Sequence, residues 1–227
     1  MRETVYSAAS FQLTREGKFA FLEGVTPKGP ESIGLYNILC RECGEARLVP
    51  SDGRWNRWIE DAFPGRFRTV TRFRLAGDET TFDEARLKAA VAAFPEGFVL
   101  QPFTEELMRQ AEGEEWSSDF QLGLSDPDRA IREGTCFAAL QDGMIVSGCT
   151  GCILSPELME VEIITRKGYR KRGMATASAA SVLLSCLEKG IRPEWDASSR
   201  FTVMLAEKQG FHCVKEYQVY EISVDDL

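Results

Sequence analysis

Apolar and polar positions follow two rhythms along this chain, and the switches between them mark its elements. Alternation with period two runs through Arg68-Thr-Val-Thr-Arg-Phe-Arg-Leu75 and predicts a strand. Helical spacing takes over in Phe82-Asp-Glu-Ala-Arg-Leu-Lys-Ala-Ala-Val-Ala-Ala-Phe94, which Pro95-Glu-Gly97 stops. Upstream, Glu45 to Val49 reads as a short strand and Trp55 to Phe63 as a helix, with Gly29-Pro30, Asp52-Gly53 and Pro64-Gly65 as turns. The succession strand, helix, strand, helix suggests a small N-terminal α/β unit over residues 1–95, with a second domain over 96–227. In the second part Phe98 to Pro102 reads as a strand, Thr104 as the N-cap of a helix to Glu112, and Trp116 to Leu124 as a further helical piece. Thr135 to Gln141 and Met144 to Leu154 flank Asp142-Gly143, a pair suited to a type I′ hairpin turn. Ser155-Pro156 then turns the chain into the strand Met159 to Thr165.

Composition narrows the classes. With 27 Lys+Arg against 35 Asp+Glu the net charge is -8, which disfavours a general grip on nucleic acid or anionic lipid and suits a cationic or amine-bearing partner. The N-terminus lacks an apolar stretch behind a basic start, and no apolar run reaches membrane-spanning length, so a cytoplasmic protein is expected. Seven cysteines, an odd number, read as reduced thiols rather than a disulfide framework. Cys40-Arg-Glu-Cys43 and Cys149-Thr-Gly-Cys152 have the spacing of paired zinc ligands. The second pair, however, falls within a strand whose alternation separates its two side chains, and no metal site is expected.

The most informative stretch is Met159-Glu-Val-Glu-Ile-Ile-Thr-Arg166, followed by Lys167-Gly-Tyr-Arg-Lys-Arg-Gly-Met-Ala-Thr176. A strand, a basic glycine-containing turn and a helix start succeed one another directly, which aims backbone N–H groups at one point and suits a phosphate. The helix from Met174 to Lys189 is small along its first half and bulky along its second, with Gly190 at its C-terminal end. Taken alone, the pattern also fits a basic surface turn before an ordinary helix. Downstream, Arg192 to Asp196 reads as a strand, and Ser199 caps a helix through Gln209 that ends at Gly210. Two strand-to-helix crossings side by side make a cleft between splayed strands.

Glu160-Val-Glu-Ile-Ile-Thr, Tyr169-Arg-Lys-Arg-Gly-Met-Ala-Thr-Ala and Leu205-Ala-Glu-Lys-Gln-Gly-Phe together resemble the acetyl-CoA motif and following helix of GNAT-superfamily N-acetyltransferases, in particular the subgroup typified by the zwittermicin A resistance protein. The similarity extends to Phe94-Pro-Glu-Gly-Phe-Val-Leu, Glu115-Trp-Ser-Ser-Asp and Gly143-Met-Ile-Val-Ser-Gly; in the N-terminal third only Leu22-Glu-Gly24 and the overall length match. The resemblance implies an α/β (α+β) fold, a mixed and mostly antiparallel sheet flanked by helices, with acetyl-CoA held between the strand ending near Thr165 and the strand around Trp195. Its pyrophosphate would rest on the amides from Lys171 through Arg172, Gly173, Met174 and Ala175 to Thr176, with Arg170 at the turn's entrance. Its pantetheine arm would follow Ile163, Ile164 and Thr165. The family's usual asparagine and serine on the later helix are matched by Ser199 and Thr202, and its proton-donating tyrosine by Ala206.

Acetyl transfer to an amine requires a neutral nucleophile, an oxyanion donor and a proton source for the departing thiolate. Alternation puts Glu160, Glu162 and Ile164 on one strand face and Val161, Ile163 and Thr165 on the other. Glu162, nearer the turn, is the candidate general base, directly or through water, with its proton affinity raised by burial; Glu160 is the second choice. The alternative for either is an ion pair at the sheet edge. Ala206 leaves the proton donor open; Tyr217 and Tyr220 are substitutes that read more naturally as packing residues, and a water could serve. His212 and the tryptophans Trp55, Trp58, Trp116 and Trp195 read as structural, with Trp116 also placed to line an acceptor site. The leading expectation is direct transfer in a ternary complex from acetyl-CoA to a primary amine of a small molecule. A covalent cysteine route is disfavoured, since no cysteine has an identifiable neighbouring base. The other classes are a non-catalytic acyl-CoA-binding or regulatory module and a thiol- or zinc-based interaction protein.

Overall fold

Side-chain caps and left-handed glycines set the helix boundaries in this structure, a computed structural model that describes residues 2–6, 9–13, 19–42, 45–78, 80–117, 120, 131–132, 135–155 and 157–223. Side chains are described from residue 19 onward, apart from those of residues 42, 45, 46, 152–155 and 223. Contacts divide the chain into two compact units, Met1–Arg72 with Glu216–Leu227, and Phe73–Lys215. The sequence division at residue 95 falls within the second of these.

The first unit contains β1 (Arg2–Tyr6), β2 (Ala9–Leu13), β3 (Phe19–Gly24), α1 (Pro30–Glu42), β4 (Glu45–Pro50) and α2 (Gly53–Ala62). It shares β5 (Phe67–Ala76) and β11 (His212–Ser223) with the second, and its strand order is β1-β2-β3-β4-β11-β5. β3 and β4 pair in parallel, and α1 supplies the crossover that parallel neighbours require. The sequence pattern yields neither β1 to β3 nor α1. Gly29-Pro30 reads there as a turn; Gly29 does take φ +53°, but Pro30 is the first residue of α1, where its fixed φ suits a helix and its missing N–H has no intrahelical partner to lose. The core gathers Leu22, Leu35, Leu39, Leu48, Trp55, Ile59 and Tyr220, so Trp55 and Trp58 are packing residues as expected.

In the second unit β5 is followed by α3 (Glu84–Ala92), β6 (Val99–Pro102), α4 (Glu105–Glu112), β7 (Phe137–Gln141), β8 (Met144–Ser155), β9 (Leu158–Thr165), a 3-10 turn at Lys167–Tyr169, α5 (Met174–Lys189), β10 (Arg192–Ala197) and α6 (Arg200–Gln209). The order is β5-β10-β9-β8-β7-β6, antiparallel except for β9 and β10, which gives the mixed, mostly antiparallel sheet that was expected. Asp142 and Gly143 both take positive φ, 51° and 80°, as a type I′ turn demands. The predicted helical piece from Trp116 to Leu124 lies largely outside the described residues.

Alternation along β9 sends its side chains into two different cores. Met159, Val161 and Ile163 pack with Leu87, Leu183, Cys186, Trp195, Val203 and Phe211 beneath α3, α5 and α6. Ile164 packs the other way, with Phe103, Leu107, Met108 and Phe120 beneath α4. The two glycines of β8 are cut to fit these layers. A Cβ on Gly151 would strike Met159 Sδ at 1.8 Å, and one on Gly148 would press on the Phe120 and Phe103 rings at 3.0 and 3.1 Å. Trp195 and Phe211 meet edge to face at 5.5 Å, worth about 1 kcal/mol beyond the area they bury.

Candidate active site

Two ladders hold β9, and they differ in length. Against β8 the pairing runs from Leu158 to Thr165, with Thr165 opposite Ser147, Ile163 opposite Cys149 and Glu162 opposite Thr150. Against β10 it covers three pairs, Leu158 with Arg192, Met159 with Pro193 and Glu160 with Glu194. Beyond Glu194, β10 stays with β5 up to Ala197 opposite Phe73, and no further β9–β10 pair occurs among the described residues. The two strands therefore part midway, and the segment Ile163-Ile164-Thr165 lies past the point where they separate. The splay expected from the two crossings is present.

The turn that leaves β9 is built by its own side chains. Arg166 N–H bonds Val146 O, which prolongs the β8 ladder by one residue, and Tyr169 N–H returns to Arg166 O at 2.8 Å. Arg170 Nε donates to Thr165 O at 3.1 Å, closing the turn, while Arg172 donates to Gly168 O at 3.2 Å and lies over the Tyr169 ring at 5.3 Å. Tyr169 itself packs against Phe98 and the Met174 side chain. Two of the turn's arginines are thus fixed by main-chain carbonyls, although both remain solvent-exposed.

Backbone conformation then prepares the helix start. Lys171 takes φ 63°, a left-handed conformation that costs an L residue about 1–2 kcal/mol, and Gly173 takes φ 90° as the N-cap of α5. Gly173 makes no side-chain cap bond, so the N-cap supplies no side-chain acceptor to the first-turn amides of α5. A Cβ on Gly173 would meet nothing within 4 Å, so its φ, not crowding, selects glycine. Five cations in the seven residues from Arg166 to Arg172 add to the positive end of the α5 dipole. The arrangement is a concave set of N–H donors in a field that favours an anion.

Ser199 and Thr202 stand at the start of α6. Ser199 Oγ accepts from Thr202 N–H at 3.2 Å and lies 3.0 Å from Thr202 Oγ1, so the two hydroxyls cap the helix together. Ala206 is fully buried in the core beneath α6. Gln209, which sequence reasoning missed, donates its side-chain amide to Thr176 O at 3.1 Å and ties α6 to the first turn of α5. A signal existed, because a polar residue stands on the buried stripe Val203, Ala206, Gln209.

The carboxylates need a correction. Glu160 is half-buried, but Glu162 is exposed, so the burial expected to raise its proton affinity is absent. The reason is that its strand face, unlike the face bearing Val161, lies away from α5. Glu160, Glu162, Glu194 and Asp196 share that face by register. Other candidates separate clearly. Tyr220 is a core residue of the first unit, its hydroxyl donating to Glu60 at 2.8 Å and its proton held up to about 12 by burial and by that carboxylate. Tyr217 is half-buried on the same strand, and His212 is exposed at its start. Cys149 is enclosed in the core, where burial pushes its thiol well up, and Cys186 is pushed up to about 12 by the same cause. Cys40 ends up in the last turn of α1, while Cys43 lies outside the described residues.

Comparison with known proteins agrees with this geometry. A family model for GNAT acetyltransferases matches residues 4–220. An uncharacterised N-acetyltransferase of Bacillus subtilis, YdfB, is 31% identical over 189 residues, covering 82% of this chain and 70% of that protein. A GCN5-related N-acetyltransferase-like protein from Streptococcus suis superposes with a TM-score of 0.81 at 31% identity, over 95% of this chain and 84% of that one. A GCN5-related N-acetyltransferase from Kribbella flavida shares the fold, with a TM-score of 0.61 at 14% identity over 97% and 89% of the two chains. With matches across nearly its whole length, the chain belongs to the GNAT acetyltransferase family.

Proposed function

We propose that this acetyltransferase moves the acetyl group of acetyl-CoA to a primary amine of a small molecule by direct attack in a ternary complex, within the subgroup that resembles the zwittermicin A resistance protein and in the cytoplasm. The observation that carries the reading is an α5 N-terminus with no side-chain cap, placed where β9 and β10 part. Pyrophosphate oxygens would take the amides from Lys171 to Thr176, in reach of Arg170 and Arg172. The pantetheine arm would run beside Ile163, Ile164 and Thr165, with Ser199 and Thr202 on its far side.

The chemistry follows from the neighbouring side chains. Glu162, directly or through a water, takes a proton from the acceptor ammonium; its exposure leaves it open to solvent for that exchange. Glu160 is the second candidate. The free amine attacks the thioester carbonyl, the C–N bond forms as the C–S bond breaks, and the CoA thiolate leaves. Because Ala206 carries no hydroxyl, water is assigned as the relay that takes the proton lost by the attacking nitrogen and returns one to that thiolate, so that the amide and the CoA thiol are the products. The same Ala206 favours a second reading, a non-catalytic acyl-CoA-binding module.

Calorimetry with acetyl-CoA, followed by CoA-release assays across a panel of small amines, tests both readings. Micromolar binding with turnover is the expected result; binding without turnover selects the module, and no binding discards both. In the enzyme, Glu162→Gln should lower kcat by about 100-fold, the usual scale for a general base, with acetyl-CoA affinity unchanged. Full turnover in that variant would remove Glu162 from the mechanism.

A further inference from the structure

We infer that the acceptor carries a second cationic group and that Trp116 and Glu114 receive it, an inference that rests on the transfer reading above. Trp116 lies just after α4, where the described residues are tied down by hydrogen bonds and ring contacts. Ser117 Oγ donates to Ala111 O at 2.9 Å at the end of α4, and Phe120 N–H bonds Ser117 O at 3.1 Å. The Phe120 ring is fully buried against Phe103, at 5.5 Å, and over Gly148, and its carbonyl accepts from Thr150 Oγ1 at 3.3 Å. Gly148 and Thr150 stand opposite Ile164 and Glu162 in the β8–β9 ladder. The segment thus walls the strand face that carries the candidate base, and Trp116 packs on Phe120 with its ring half-exposed.

The indole and carboxylate form one platform. Trp116 Nε1 donates to Glu114 Oε2 at 2.5 Å, which fixes the carboxylate beside the ring. One cation already rests there. The Arg166 guanidinium lies 5.9 Å from the ring centroid and 3.7 Å from Glu114 Oε2. The first distance is at the outer limit of a cation–π contact, and the second is too long for a hydrogen bond. The platform's chemistry therefore suits a cation, and its present occupant holds it loosely enough to be shared or displaced by an ammonium that can approach more closely. Ion pairs this exposed are weak, so exchange is cheap.

Position sets the length of the acceptor. Arg166 follows Glu162 by four residues of extended chain, so its Cα stands roughly 13 Å from that of the base along β9, which sets the scale of the separation. Glu160 and Glu162, on the same strand face as Arg166, favour a cation in transit over an anion, whereas Glu194 is already engaged by Arg74 and Arg192. A long diamine or a polyamine-like molecule fits this pattern. An acceptor bearing a carboxylate at the far end would instead seek Arg166.

The test compares octane-1,8-diamine, octylamine and 8-aminooctanoate as acceptors at saturating acetyl-CoA, and their binding to the CoA-loaded protein by calorimetry. The diamine should lead octylamine by about tenfold in both kcat/KM and affinity, and shortening the diamine to four carbons should remove the lead. Trp116→Ala and Glu114→Gln should abolish that preference while leaving the acetyl-CoA Kd within about twofold, and Trp116→Phe should keep part of it. The unchanged acetyl-CoA Kd also certifies that each variant is folded. Preference for 8-aminooctanoate, indifference to the distant charge, or an equal loss on all three amines overturns the inference while the transfer reading stands. Failure of the wild type to bind acetyl-CoA overturns the transfer reading first, and this inference with it.

Discussion

The two crossings from strand to helix, β9 into α5 and β10 into α6, are built from the same parts and finished differently. At α6, Ser199 sits in an extended conformation and its hydroxyl satisfies Thr202 N–H. Asp52, Asp83 and Thr104 do the same for α2, α3 and α4. α5 instead starts on a residue without a side chain, at φ 90°, two residues after a lysine also held at positive φ; α1 likewise follows a glycine, Gly29 at φ 53°, but there Pro30 removes one of the first-turn donors. A serine or aspartate cap typically adds about 1 kcal/mol, and a left-handed lysine costs a similar amount. Local stability is forgone at one crossing and taken at the other. The contrast separates a helix start that the fold completes from one left for a ligand to complete.

Filling the missing cap should erase the contrast and produce the largest effect. In Gly173→Asp a carboxylate competes for the first-turn amides of α5 and opposes a pyrophosphate electrostatically. Losing about two charge-assisted hydrogen bonds, at roughly 1.5–3 kcal/mol each, should raise the acetyl-CoA Kd at least 100-fold in calorimetry. The melting temperature should change little, because the cap gained offsets the strain at φ 90°. A Kd within threefold of the wild type would mean that these amides do not hold the phosphates.

Much of the α5 and α6 region was legible because its signals are local. Gly190 and Gly210 do adopt the left-handed C-cap, Ser199 does cap α6, and the period-two pattern of β9 does divide its side chains between two cores. Alternation cannot say which face a helix covers, and for that reason Glu162 was expected buried. The first unit was harder to read because its pairings are remote. β4 takes β11 as a neighbour, and Arg47 meets Glu221 174 positions away. In α1 the turn signal of Gly29-Pro30 concealed a helix start. The Trp116 platform was only half visible for a similar reason, since Trp116 reads first as packing and second as an acceptor wall, while its Arg166 comes from another element. Gln209 lay in plain view on an apolar stripe, but only its reach across to Thr176 gives it a role.

That reach offers an intermediate way to disturb the comparison, by loosening one crossing from the other. Gln209→Leu keeps the side chain's bulk and removes the hydrogen bond to Thr176 O. Thr176 O retains its place in the α5 ladder, so global stability should move by less than about 1 kcal/mol. The first turn of α5 loses its outside brace, and the KM for acetyl-CoA should rise about fivefold with kcat within twofold, equivalent to the roughly 1 kcal/mol of one hydrogen bond. Equal losses in kcat and kcat/KM would instead mean that Gln209 acts on the chemical step.

The smallest effects come from one substitution made at both helices, and they should have opposite signs. Ser199→Ala removes the α6 cap and should cost about 1 kcal/mol, lowering Tm by roughly 2–4 °C for a chain of this size. Ser178 lies in α5, fully buried, and its hydroxyl is the buried side-chain polar atom left without a hydrogen-bond partner among the described residues. Ser178→Ala removes an uncompensated desolvation cost and places a stronger helix former in the same turn, so it should raise stability by about 1 kcal/mol. Paired thermal melts read the difference directly. Ser178→Ala with a lowered Tm would show that the hydroxyl finds a partner in solution, and the small-residue half of α5 would then hold a polar contact rather than a close-packed apolar face.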